Sequence, residues 1–176
     1  MKLHIGCGPV NLPGWINIDN GSCSLADVRL DVTRGLPYDA GSVDLIYNEH
    51  FIEHFPVEQG LALMREFHRV LKPGGIVRTA TPDLNFIARR YFVMWRRQEW
   101  LKRYGYEYIQ TRAEMVNVAF REWGHQYIYD REELVRRLRE AGFQRMSRVK
   151  LNRSQHAELR NLETRKDSTL IVEAVR

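Results

Sequence analysis

Residues 43–80 read VDLIYNEHFIEHFPVEQGLALMREFHRVLKPGGIVRTA, and the periodicity inside this stretch decides the fold. Val43–Tyr47 is a short apolar run, the mark of a buried strand. In Val57–Leu71 the residues Leu61, Met64, Phe67, His68 and Leu71 fall on one helical face. Lys72-Pro73-Gly74-Gly75 then turns the chain, and Ile76–Ala80 is a second apolar run. Strand, helix, turn and strand make a parallel βαβ unit, because parallel neighbours need a crossover long enough for a helix.

The same punctuation continues on both sides. Lys2–Ile5, Trp15–Ile18 and Val28–Val32 read as three earlier strands, and Gln144–Leu151 and Ser168–Val175 as two later ones. Asp130 with Glu133 reads as a capping box for a helix running through Leu134, Leu138 and Ala141, closed by Gly142. Residues 84–112 differ in character, with eight aromatics and seven Lys/Arg against one glycine and no proline, and are expected to be an inserted helical segment extending to about residue 124. The polar stretch Asn152–Asp167 connects the last two strands. The expectation is one α/β domain over residues 1–176: a Rossmann-like, mostly parallel seven-stranded sheet with helices on both faces and the insert after the fifth strand.

A chain of 176 residues suits a single core, and 44% hydrophobic with 28% charged residues excludes a disordered or fibrous chain. No apolar run approaches the ~20 residues of a membrane span, and the N-terminus runs into glycines, so a cytoplasmic protein is expected. Cys7 and Cys23 have the spacing of neither a disulfide scaffold nor a zinc ribbon, and no metal is expected. Charge is uneven. Residues 1–84 carry seven Lys/Arg against ten Asp/Glu, while residues 85–176 carry twenty against twelve, which points either to an anionic partner or to a solvated arginine-rich surface.

In an open α/β sheet a ligand sits at the carboxyl ends of the strands. The residues found there are Gly6-Cys7-Gly8, able to turn tightly beside a ligand; Asp19, placed to accept from ribose hydroxyls; Asp31-Val32, able to pair with an adenine amino group and pack on its ring; and Asn48-Glu49-His50.

With these residues the chain resembles the class I S-adenosylmethionine-dependent methyltransferases, and in particular the small type 11 group. The resemblance spans nearly the whole chain. It is carried by Leu3-His4-Ile5-Gly6-Cys7-Gly8, Asp19, Asp31, Asp44-Leu45-Ile46-Tyr47, His50-Phe51-Ile52-Glu53-His54, Arg69-Val70-Leu71-Lys72-Pro73-Gly74-Gly75 and Glu133-Leu134 through Ala141-Gly142-Phe143. It implies S-adenosylmethionine as cofactor, with Gly6, Cys7 and Gly8 along its methionine part, Asp19 on the ribose, Asp31 and Val32 on the adenine, the backbone carbonyl of Asn48 toward the amino group, and Glu49 beside it. It further implies His50 near the transferring methyl.

The chain departs from the family pattern in one place. Only residues 6–14 separate the first two strands, and Pro9 and Pro13 interrupt them, so a loop replaces the usual helix. Either segment 84–112 or a second copy of the chain, as a homodimer, is expected to cover the sheet face so exposed.

His50-Phe51-Ile52-Glu53-His54 also fits an inverted zinc-protease motif, which requires the two histidines one turn apart inside a helix. On the methyltransferase reading His50 is the first candidate for a general base and His125, in Trp123-Gly124-His125-Gln126-Tyr127, the second. His4 and His68 are assigned to packing. The expected activity is methyl transfer to oxygen or nitrogen of a small or glycan-type acceptor, plausibly anionic. Nucleic acid is disfavoured because no appended binding module is visible. The rival classes are a noncatalytic binding or scaffold protein and a zinc hydrolase.

Overall fold

The computed structural model describes every residue except Cys23, Met94 and Gln98; the expectation for Cys23 lies outside the described residues. Seven strands form one sheet in the order β3-β2-β1-β4-β5-β7-β6. They are β1 (Lys2–Ile5), β2 (Ile16–Asp19), β3 (Val28–Arg29), β4 (Val43–Glu49), β5 (Leu71–Thr81), β6 (Arg145–Arg148) and β7 (Leu170–Val175). Pairing is parallel from β3 through β5, and β7 runs antiparallel to both β5 and β6. The sheet is therefore mixed, with β1 in the middle of its parallel part, in register with Ile16–Ile18 on one side and Leu45–Asn48 on the other.

Among the described residues five α-helices accompany the sheet: α1 (Val57–Val70), α2 (Leu84–Phe92), α3 (Glu99–Arg103), α4 (Arg112–Arg121) and α5 (Arg131–Glu140). In α1 the predicted stripe residues Leu61, Met64 and Phe67 are buried, His68 is half-buried, and Leu71 lies beyond the helix as the first residue of β5; Val70, outside the predicted stripe, is buried as well. Helix α5 starts where Asp130 accepts from the Glu133 amide, but the capping box is not reciprocal: the Glu133 carboxylate turns instead to Tyr127, Arg136 and Arg137. Helix α4 does carry a full capping box, Thr111 with Glu114, which the sequence reading passed over. Three strands are shorter than expected: β3 ends at Arg29 because Asp31 caps a 3-10 turn at Val32–Arg34, β6 ends at Arg148, and β7 starts only at Leu170. β5 is longer, beginning at Leu71 and taking in residues 72–75, where a turn was expected.

Backbone alternation gives the sheet two unlike faces. Leu3, Ile5, Ile18, Ile46, Val77, Val172 and Ala174 point to one, where they meet α1 and α5. Helices were expected on both faces, and the structure differs. The opposite face carries no α-helix among the described residues: Leu45, Tyr47 and Ile76 pack on Leu12 and Trp15 of the β1–β2 loop and on Leu159 and Leu162 of the β6–β7 connection. Segment 84–112 contributes no residue to that packing. Helices α2 to α4 form their own small clusters around Ile87, Ala119 and Ile128 and around Leu101, Ile109 and Met115.

Loops cover a face only if their backbone polar groups are answered, and the sheet answers them. Asn17 accepts from the Leu12 amide at 2.9 Å and donates to the Leu12 carbonyl at 3.2 Å and to Asp27 at 2.8 Å, while His4 donates to its side-chain oxygen at 3.0 Å. Arg78, fully buried, donates to Glu163 at 2.6 Å, Glu173 at 2.5 Å and the Arg153 carbonyl at 3.0 Å. Among the described residues no helix is long and apolar enough to cross a membrane.

Candidate functional site

A cavity of about 880 Å³ opens at the carboxyl ends of β1, β2 and β4. Gly6, Cys7, Gly8, Asp19, Asp31, Val32, Glu49, His50 and His125 all line it. Of the residues expected to hold the cofactor or act as base, Asn48 is absent from the lining. It is fully buried in the sheet, where its amide donates to Thr79 at 3.1 Å.

The turn after β1 is built by two glycines with different constraints. Gly6 has φ +67°, and a Cβ there would lie 2.2 Å from the Phe51 ring, so that ring can seat only on a glycine. Gly8 has φ +51°, but a Cβ there would meet no protein atom within 4 Å. Its amide donates to Asp19 Oδ2 at 2.8 Å, and Asp19 Oδ1 accepts from the Gly21 amide at 2.6 Å, so one carboxylate sets both loops that border the cavity. Asp31 accepts from the amide and hydroxyl of Thr33, which hold its carboxyl below the usual range. The Cys7 thiol is pushed up to about 11 by burial and by the nearby Asp19 charge, so it stays a thiol.

Glu49 is committed to the protein itself. Its carboxylate accepts from the Thr164 amide and hydroxyl, the Arg165 amide and the Ser168 hydroxyl, at 2.7–3.2 Å. This clamp ties the β6–β7 connection to the end of β4. Leu162, Thr164, Arg165 and Asp167 thereby become a wall of the cavity. The opposite wall comes from Phe86, Ile87, Trp100, Arg103, Tyr104 and Trp123. Trp123 stands edge-on to Trp100 and Tyr104, with ring centroids 5.5 and 5.7 Å away. Of the Lys and Arg residues in segment 84–112, all of them described, Arg103 lines the cavity and Arg89, Arg90, Arg96, Arg97, Lys102 and Arg112 do not.

His50 leaves β4 with φ +48°, a conformation uncommon outside glycine, and its amide donates to Ala80 at 2.9 Å. Its side chain is 5% exposed, with Nδ1 3.2 Å from Glu53 Oε1 and Nε2 without a partner. Glu53 is fully buried. Its Oε2 accepts from the Thr81 hydroxyl at 2.9 Å, and its carbonyl accepts from the amides of Gln126 and Tyr127, which hangs the loop bearing His125 beside it. Burial raises the Glu53 carboxyl, but the hydrogen bond and charge of His50 and the charge of His54 outweigh it and leave the group below its usual range. His125 donates from Nδ1 to the Ala119 carbonyl at 2.8 Å, so Nε2 keeps its lone pair; burial lowers its pKa and favours the neutral ring.

The zinc-protease geometry does not form. Ile52–His54 is a 3-10 turn rather than part of an α-helix, and the histidine gathered with His50 and Glu53 is His125, not His54. His54 instead stands edge-on to His125 at 5.2 Å. His4 packs as expected, stacked on Tyr47 at 5.1 Å, and His68 packs edge-on to Phe143. The roles of Glu53 and Glu49 escaped the sequence reading, since each depends on loops more than seventy residues away.

A family model described as a methyltransferase domain matches residues 13–147. No curated protein matches the chain. Solved structures do. A SAM-dependent methyltransferase of Thermotoga maritima, named as a possible histamine N-methyltransferase, aligns with TM-score 0.61 at 16% identity over 99% of this chain and 81% of that one. A SAM-dependent methyltransferase of Archaeoglobus fulgidus aligns with TM-score 0.61 at 12% identity over 99% and 85%. An S-adenosylmethionine-dependent methyltransferase of Mesorhizobium loti gives 0.55 at 16% over 99% and 90%. At such identities the likeness establishes the fold.

Proposed function

The chain belongs to the methyltransferase domain family, and on that footing we propose that it is an enzyme that moves the sulfonium methyl of S-adenosylmethionine to oxygen or nitrogen of a small acceptor. The observation that carries this reading is the unfilled space at Gly8, bordered in one cavity by Asp19, Asp31 and Val32. The methionine part of the cofactor runs past Gly6, Cys7 and Gly8. Asp19 accepts from the ribose hydroxyls while still holding its two glycine amides, since each carboxylate oxygen has more than one acceptor site. Asp31 and Val32 take the adenine. Asn48, buried in the sheet and off the cavity lining, supports the end of β4 rather than touching the cofactor, and Glu49 acts by fixing the wall beside the cofactor.

The acceptor lies between the His50–His125 side and the aromatic wall. A cavity walled by Trp100, Tyr104 and Trp123, with Arg103 and Arg165 at its edge, suits a small ring-bearing or glycan-type molecule with a negative group better than a polymer. The cofactor is reactive by itself, so the protein mainly aligns the acceptor and relieves it of a proton. His50, backed by Glu53, is the first choice for that proton and His125 the second. The whole chain acts as one unit, with residues 84–124 as an inserted cover over the acceptor side.

Titration with the product S-adenosylhomocysteine tests the reading. Ligand at a hundred times its dissociation constant should stabilise the chain by about 2.7 kcal/mol, seen as a higher melting temperature. Gly8→Ala adds a methyl group that meets no protein atom within 4 Å, on a backbone whose φ of +51° strains a side chain, so it should weaken this binding at a modest cost in stability while the fold persists. No thermal shift at millimolar product would leave a binding protein on a methyltransferase fold.

A further inference from the structure

We propose that His50, Glu53 and His125 form a binding site for one divalent first-row transition-metal ion at the edge of the cavity. One ligand atom from each of the three side chains can be chosen so that all lie within 4.8 Å of one another. Donors sharing an ion at ~2.1 Å stand about 3–4 Å apart, so the trio has to draw in by about 2 Å at most. Two imidazoles and a carboxylate are a donor set suited to iron, cobalt, manganese or zinc rather than to magnesium or calcium.

Two features make this a built site rather than a chance cluster. The first is that donor atoms are left over: His50 Nε2 is buried without a partner, and Glu53 Oε1, on a side chain with no exposed surface, has no well-aligned hydrogen bond, its neighbour being His50 Nδ1 at 3.2 Å. A buried carboxylate oxygen so poorly answered is costly, and a cation answers it. The second is that the opposite atoms are already anchored. His125 Nδ1 donates to the Ala119 carbonyl and Glu53 Oε2 accepts from the Thr81 hydroxyl, which are the outer-shell bonds that orient metal ligands. The motif reading of the sequence paired His50 with His54; the fold substitutes His125.

The inference goes beyond the methyl-transfer reading. His50 and His125 line the cavity, so an ion held there faces the acceptor and polarises an oxygen that reaches it, whereas in the metal-free chain the same imidazoles are proton acceptors.

The test uses the full chain freed of metal with a chelator and then titrated with Zn²⁺ alone, or with Co²⁺ followed by its visible absorption. One ion should bind per chain, with Co²⁺ showing the bands of a nitrogen–oxygen site of low coordination number. His125→Ala and His50→Asn, the latter chosen because asparagine tolerates the positive φ, should each lose at least about tenfold in affinity. His54→Ala should keep it. A chain that binds S-adenosylhomocysteine but takes up no ion would overturn the metal site and leave the methyltransferase reading standing. Ion binding unchanged in both His125→Ala and His50→Asn, with product binding showing each variant folded, would also overturn it. Loss in His54→Ala with retention in His125→Ala would move the ion to the sequence motif and sink the proposed trio.

Discussion

The two faces of the sheet are made by the same strands yet are held by different physics. On one face Leu3, Ile5, Ile18 and Val77 meet the apolar stripes of α1 and α5, and burial of hydrocarbon does nearly all the work. On the other face the residues between them, His4, Asn17, Tyr47, Arg78 and Glu173, meet loops. A helix satisfies its own backbone and asks the sheet only for apolar contact. A loop leaves amides and carbonyls open, so the strands beneath it must supply hydrogen bonds. The missing helix between β1 and β2 is therefore matched by a change in side-chain chemistry on the face it would have covered.

The largest test of this contrast is Arg78. Arg78→Met keeps much of the volume but strands Glu163 and Glu173 in the interior, and should cost about 3–5 kcal/mol in denaturant unfolding. On the helical face Met64→Leu, also close in volume, should cost less than about 1.5 kcal/mol. Equal costs would show that the two faces are not held differently.

Asn17 should come next. Asn17→Ala leaves the Leu12 amide and Asp27 short of partners and should cost about 1–3 kcal/mol. Hydrogen exchange should reveal it first in residues 6–15, the loop that Asn17 pins, and an effect spread evenly through α1 and α5 would count against the idea.

The smallest effect is on pH dependence, and it separates the faces by window. Burial pulls His4 below its ordinary 6.5, more strongly than its bond to Asn17 raises it, so its contribution is complete above pH 6.5 and shrinks as pH falls below that value. Glu133 on α5 is lowered to about 2, chiefly by its hydrogen bond from Arg136; its contribution is complete above its ordinary 4.5 and lost as pH falls toward 2. Melting temperatures of His4→Gln should therefore decline less than wild type between pH 6.5 and 5, and those of Glu133→Gln less between pH 4.5 and 2.5. His4→Gln with an undiminished slope in the upper window would remove His4 as its source.

Much of the site was legible because strand ends are sequence-local. Gly6, Gly8, Asp19, Asp31 and His50 each follow an apolar run, and in a parallel sheet the ends of adjacent runs meet at one edge, so their convergence on a single cavity is a consequence of topology. Glu49 and Glu53 were not legible in the same way. Nothing near them in the chain says that Glu49 clamps Thr164 and Ser168, or that Glu53 carries the loop of His125. The aromatic segment was read for composition only, and its division into wall residues such as Trp100 and exposed ones such as Phe92 depends on how α2 and α4 meet.

By itself the sequence determined the strands, the βαβ unit, the loop in place of a helix and the acidic and glycine positions along the cavity, because each depends on periodicity or on the conformational range of one residue. Tertiary structure alone decided what covers the second face, which basic residues reach the cavity, and that His125 rather than His54 joins His50 and Glu53. Those outcomes rest on contacts between segments far apart in the chain. A buried polar group takes whichever partner the packed fold brings within about 3 Å, and spacing along the sequence carries no record of that choice.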